Sequence, residues 1–260
     1  MRFSLLTLSL LLFLSCDAEL VINPLDEDST EYVEPETTIT ITDLDGSTLD
    51  TPSVTITFEG NDLVVEYAYS LNGGGYSDWI ADAFVTLSYL DEGSYTFSVK
   101  GRYASGDEDD TPATASFTVD AIHGPALIFY PRQHILSVGS TATFQIKAYE
   151  VESLMLATIT IAYDNTLIDI ESVSQGDMFT GSGESIFIDE ISTSSLTIYT
   201  MLLGGDTPSV SGTGVLATLK VKAKALGSAT LSLDGTQVFK NNEDRSISIE
   251  QTVNGLVVIY

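Results

Sequence analysis

Hydrophobic and polar residues alternate through most of the chain after residue 36, in short runs cut by Gly, Asn, Asp and Pro. A period of two predicts half-buried strands, each turning one side to a core. No stretch past residue 20 keeps a helical period, so the pattern predicts an all-β chain. In the first half the runs are 37–42, 53–58, 63–70, 83–87, 93–103 and 115–119, with Asn72-Gly73-Gly74-Gly75 as a hairpin turn. In the second half they are 126–130, 142–149, 155–163, 167–173, 185–190, 195–203, 215–224, 229–233 and 253–259. Parity then sorts side chains. If Ile159, Ile161 and Tyr163 point inward, Leu156, Thr158 and Thr160 point out. If Ile198, Thr200 and Leu202 point inward, Thr197, Tyr199 and Met201 point out. If Ala217, Leu219 and Val221 point inward, Thr218, Lys220, Lys222 and Lys224 point out.

Composition supports folded cores, with 43% hydrophobic and 9% aromatic residues in 260. The net charge of −27 repels nucleic acid and anionic lipid, which removes both as partners of the bulk surface. A single cysteine, Cys16, rules out an internal disulfide and a cysteine metal cluster. With two histidines besides, little is left for nucleophilic or metal chemistry. Carboxylates are many, but no motif places a pair of them, so the sequence predicts no enzyme and no cofactor. Arg2 followed by the apolar run 5–14 reads as a signal peptide over 1–15, too short to span a bilayer stably. Residues 16–35 are acidic with two prolines and read as an extended tether. Ala121-Ile122-His123-Gly124-Pro125 marks a boundary between units at 36–120 and 124–260.

Several stretches resemble known families. Leu14-Ser15-Cys16 resembles the end of a bacterial lipobox, which implies lipidation of Cys16 and a membrane-anchored extracytoplasmic protein, at the cell surface or in the periplasm. Cleavage after Ala18, leaving a secreted protein, is the other reading. Short runs with turns every eight to twelve residues suggest a seven-stranded immunoglobulin-like or fibronectin type III-like sandwich. Its Tyr69-Ser70-Leu71-Asn72-Gly73 and Trp79 resemble the hairpin of Ig-like modules in bacterial surface proteins. Within 155–179, a strand ending Tyr163-Asp164, the run Leu167-Ile168-Asp169-Ile170 and the turn Gly176-Asp177 follow in order. Together with Val138-Gly139, Leu203-Gly204-Gly205, the long run 214–224 and the closing run 253–260, they resemble the cohesin domain over 124–260. The resemblance implies a nine-stranded jelly-roll sandwich that binds dockerin, a calcium-loaded helical module, on one sheet face. The strand at 155–163 contributes to that face, together with those near 185–190, 195–203 and 215–224. Where the family carries an outward Asn and Asp, this chain has Leu156 and Thr158.

The expected partner-binding residues are therefore Leu156, Thr158, Thr160, Thr197, Tyr199, Met201, Thr218, Lys220 and Lys222. Tyr199 and Met201 are the most suggestive, because large apolar side chains exposed on a sheet mark interfaces. Three of the chain's six lysines lie on the single run 215–224. They read either as a positive stripe for a partner's carboxylates or as guards against edge-to-edge pairing. Tyr76 and Trp79 either stack on a sugar or pin a hairpin to its sandwich. Asp107-Glu108-Asp109-Asp110 either holds calcium or is simply solvated. The resemblance thus implies a non-catalytic cell-surface or periplasmic lipoprotein that displays a protein-recognition module for a dockerin-type partner in polysaccharide-degrading assemblies. A carbohydrate-binding module of a polysaccharide-utilisation system is the alternative, and it requires a flat row of exposed aromatics.

Overall fold

The computed structural model describes residues 23–25, 28–204 and 208–260. The expected signal peptide, Cys16 and residues 16–22, 26 and 27 of the expected tether lie outside them, as does Gly205. The described residues form strands, turns and loops with no helix, in keeping with the alternation read from the sequence.

Seven strands make the first half: β1 (Thr37–Ile39), β2 (Ser47–Leu49), β3 (Val54–Gly60), β4 (Val64–Leu71), β5 (Phe84–Leu87), β6 (Gly93–Tyr103) and β7 (Ala113–Val119). They form two sheets, ordered β1-β3-β5 and β2-β7-β6-β4. Ile56, Phe58, Tyr67, Phe97, Val99 and Phe117 fill the space between. The short β2 falls in a Thr-Asp-Gly-rich stretch with no alternation to reveal it. Asn72 and Gly73 both take left-handed conformations, and the Gly74 N–H donates to the Leu71 carbonyl at 3.1 Å. This is a type I′ turn, whose positive φ at both central positions favours Asn-Gly.

The second half runs through β8 (Ala126–Tyr130), β9 (Gln133–Leu136), β10 (Thr141–Ala162), β11 (Ile168–Gln175), β12 (Glu184–Ile191), β13 (Ser195–Leu203), β14 (Val210–Ala223), β15 (Gly227–Leu231), β16 (Val238–Asn241), β17 (Gln251–Val253) and β18 (Gly255–Ile259). The expected strands at 142–149 and 155–163 run together as β10, and β9, β16 and β17 are additional. β8 and β9 are separated at Pro131, which has no N–H to donate to a ladder.

β10 organises the whole half. A straight strand of its 22 residues would be about 70 Å long. It bends instead at Glu150 and Ser153, both left-handed. Two hydroxyls of β14 accept the N–H groups freed there: Thr213 from Glu150 at 3.1 Å and Ser211 from Ser153 at 2.9 Å. Before the bend β10 pairs with β8 and β14, and β14 pairs on with β11. After it, residues 156–162 pair with β13, residues 154–158 pair with β16, and β13 pairs on with β12. The parity of burial changes with the partners. Phe144, Ile146 and Ala148 are buried before the bend, and Ala157, Ile159 and Ile161 after it, all in one core. The two halves of β10 thus lie in opposite layers of a sandwich. Each fully buried Ile or Phe of this core stabilises it by about 1.5–3 kcal/mol.

Candidate functional site

The layer built after the bend presents an open outer surface. Cross-strand register sets three rows on it: Glu190–Thr197–Thr160, then Ile188–Tyr199–Thr158–Val238, then Ile186–Met201–Leu156–Lys240. Residues in register share a face, so each row is a line of neighbouring side chains. Ile188 is 52% exposed and Tyr199 39%, while Leu156, Ile186 and Met201 are half-buried beside them. The result is a flat apolar patch with threonines along one side. Glu184, Asp189 and Glu190 of β12 stand exposed at its edge. At the far side Lys240 is paired with Asp244.

Beyond β16 the edge of this layer is closed by a side chain. The Gln237 amide accepts the Thr160 N–H at 3.0 Å and donates to the Thr160 carbonyl at 2.8 Å, which reproduces a strand partner. At the end of β10 the Tyr163 hydroxyl donates to the Ser192 carbonyl at 3.1 Å, and burial pushes the phenol above its ordinary pKa. In the next turn, hydrogen bonds from the Thr166 hydroxyl and N–H hold the Asp164 carboxyl below its ordinary pKa. The first contact ties the end of β10 to the turn between β12 and β13, and the second fixes the turn that launches β11.

Six of the nine expected partner-binding residues, Leu156, Thr158, Thr160, Thr197, Tyr199 and Met201, stand together on this face. Thr218, Lys220 and Lys222 do not. They are in register with Gln145, Thr143 and Thr141 of β10 before its bend, so they sit on the outer surface of the opposite layer. The reason is the bend: strands flanking the two halves of β10 cannot share a layer. Nor are the lysines unpaired. Lys220 and Lys222 reach Glu171 at 3.0 and 3.9 Å, and Lys224 reaches Asp169 at 2.8 Å.

The sequence reading missed Ile186, Ile188, Val238 and Lys240. The two isoleucines were within reach, since an inward Phe187 forces its neighbours outward. β16 is too short, and follows too polar a stretch, for its alternation to stand out.

Other candidates resolve into local contacts. The Arg102 guanidinium lies 4.4 Å from the Trp79 ring centroid and the Lys100 ammonium 4.7 Å from that of Tyr76. These rings therefore lie over the outer face of β6 as hairpin anchors. In the acidic loop, Glu108 pairs with Lys100 and Asp107 accepts the Ser105 hydroxyl. Asp109 is buried and accepts the Thr111 N–H at 2.8 Å. Among the described residues no three His, Cys, Asp or Glu side chains converge as metal ligands. Among the described residues, the exposed tyrosines of the second half, Tyr130, Tyr199 and Tyr260, form no aromatic row on the open face, where Tyr199 is the only ring.

Fold and site define an all-β sandwich protein with a flat, exposed apolar sheet face. The model of the cohesin domain family matches residues 134–259 of the chain. Among solved structures, a non-cellulosomal cohesin from the archaeon Archaeoglobus fulgidus is similar at 20% identity, covering 52% of this chain and 90% of its own, with a TM-score of 0.43. The sixth cohesin of scaffoldin B from Acetivibrio cellulolyticus, solved with a dockerin, is similar at 23% identity, covering 53% and 100%, with a TM-score of 0.46. A type I cohesin–dockerin complex from Clostridium thermocellum is similar at 15% identity, covering 52% and 98%, with a TM-score of 0.46. No curated protein matches the chain.

Proposed function

We propose that the second sandwich, residues 124–260, is a protein-recognition module that binds a dockerin-type partner through the face of β16, β10, β13 and β12. The observation that carries this reading is the register-aligned patch of Ile186, Ile188, Tyr199, Met201 and Leu156 on an open sheet. Large apolar side chains clustered on a flat surface are what protein interfaces bury. The family match over 134–259 supports the partner class. The same proposal takes Cys16 as a lipid anchor, 16–35 as a tether and 36–120 as a spacer, in a protein displayed outside the cytoplasm.

The test is capture by the full chain of calcium-loaded dockerin-bearing proteins. Replacing Tyr199→Ala together with Met201→Ala should weaken capture tenfold or more, on the order of 1.4 kcal/mol. Unchanged affinity in a folded double variant would remove this face as the docking site. Retention on insoluble polysaccharide without protein capture would favour the carbohydrate reading instead.

A further inference from the structure

The two sandwiches meet through more than the segment 120–125 that joins them. Glu92, in the turn before β6, directs Oε2 at the N–H groups of Ala121 and Ile122, at 2.9 and 3.4 Å. Its Oε1 accepts from Nη2 of Arg132 at 2.7 Å. Neighbouring Asp91 accepts the Arg132 backbone N–H at 2.8 Å. Arg132 belongs to the second sandwich and is 5% exposed, so this ion pair is largely withdrawn from water.

The joining segment is held from the other side as well. The Gln251 amide accepts the His123 N–H at 3.1 Å and donates to the Ala121 carbonyl at 3.2 Å. Glu150 accepts the Gly124 N–H at 3.1 Å. Ile122 packs with Ala126 and Ile128 in a small core of its own, against Tyr149 and Val253. A Cβ on Gly124 would lie 2.3 Å from that of Glu150, so chain and strand approach too closely for any side chain. Each backbone N–H from Ala121 to Gly124 therefore has a side-chain acceptor. This is the opposite of a solvated, mobile linker.

We infer that the Asp91–Glu92 turn is a clamp that seats on Arg132 and makes the two sandwiches one rigid arm. The clamp meets the second sandwich on the outer side of the layer containing β8, where Ile128 and Tyr149 lie. The face carrying Tyr199 belongs to the other layer and stays open. The inference rests on the proposed function only for the meaning of that open face, and its test needs no partner. Motion between domains is the default unless an interface prevents it, and here one buried charge pair couples the Asp91–Glu92 turn, the joining segment and the turn between β8 and β9.

The experiment is a spin-label distance measurement on the full chain with Asp62→Cys and Thr193→Cys, one exposed site in each sandwich, and Cys16→Ser. A narrow distance distribution is expected. Replacing both clamp partners, Glu92→Leu with Arg132→Leu, removes the two charges of the pair together and should roughly double its width as inter-domain motion returns. A broad distribution in the unaltered joint, or one that stays narrow in the double variant, overturns the clamp. Should the double variant lack a native near-ultraviolet dichroism spectrum, Glu92→Gln alone is read by the same two criteria.

Discussion

A Cβ on Gly176 would lie 2.1 Å from the Val215 carbonyl oxygen, inside the backbone of β14. Beside it, the Asp177 carboxylate accepts the Val215 N–H at 3.0 Å. The Gly-Asp pair that the sequence reading used as a turn marker is thus a docking point between the end of β11 and β14. Gly176→Ala must move one strand, and should cost about 1–3 kcal/mol of stability in urea unfolding, as overpacking does. Thr200 makes the opposite case. Its side chain is buried among apolar neighbours and its hydroxyl has no hydrogen-bond partner. Thr200→Val keeps the shape and removes the orphaned group, so it should raise stability by about 1–3 kcal/mol in the same measurement. The sequence placed Thr200 inward by parity. That its hydroxyl would be left alone depends on which groups surround it, and alternation carries no such information.

Among the elements, β10 decides the most. The polar residues Glu150, Glu152 and Ser153 interrupt its alternation, which is why the sequence divided it into strands at 142–149 and 155–163. Local pattern shows that a strand is interrupted, but not that the chain crosses from one layer to the other at the interruption. The misplacement of Thr218, Lys220 and Lys222 follows from that gap. Parity gives their outward orientation but carries no information on the layer they face outward from. Lys220→Ala with Lys222→Ala should accordingly leave partner affinity unchanged while Tyr199→Ala with Met201→Ala lowers it, measured by calorimetric titration. Loss of the lysine pairs with Glu171 should also cost little stability, since exposed ion pairs contribute about 0–1 kcal/mol.

Across the whole molecule, strong negative charge meets a joint held by buried polar groups. Burial pushes the Asp91 carboxyl above its ordinary pKa of 3.8, against the opposing pull of the Arg132 N–H and guanidinium. The folded state therefore holds this proton more tightly than the unfolded chain does. Between the ordinary and the raised value, stability falls as pH rises, and the cost of the charge is fully present at neutral pH. Asp91→Asn keeps an acceptor for the Arg132 N–H and removes that cost. The variant should be more stable than the parent at neutral pH, and the difference should vanish once the solution is acid enough to protonate both forms of Asp91. Urea unfolding across that window checks the sign.

Local sequence was enough for the all-β class, for the inward and outward parity of the runs 155–163, 195–203 and 215–224, and for six of the side chains on the open face. All of these follow from local periodicity, because a strand's two sides are fixed by its own pleat. Which strands lie together was settled by the folded chain. It placed Ile186, Ile188, Val238 and Lys240 beside Tyr199, sent the lysines to the opposite layer, and brought Glu92 against Arg132. Those outcomes depend on pairings between residues far apart along the chain, set by the bend in β10 and the closure of one shared core.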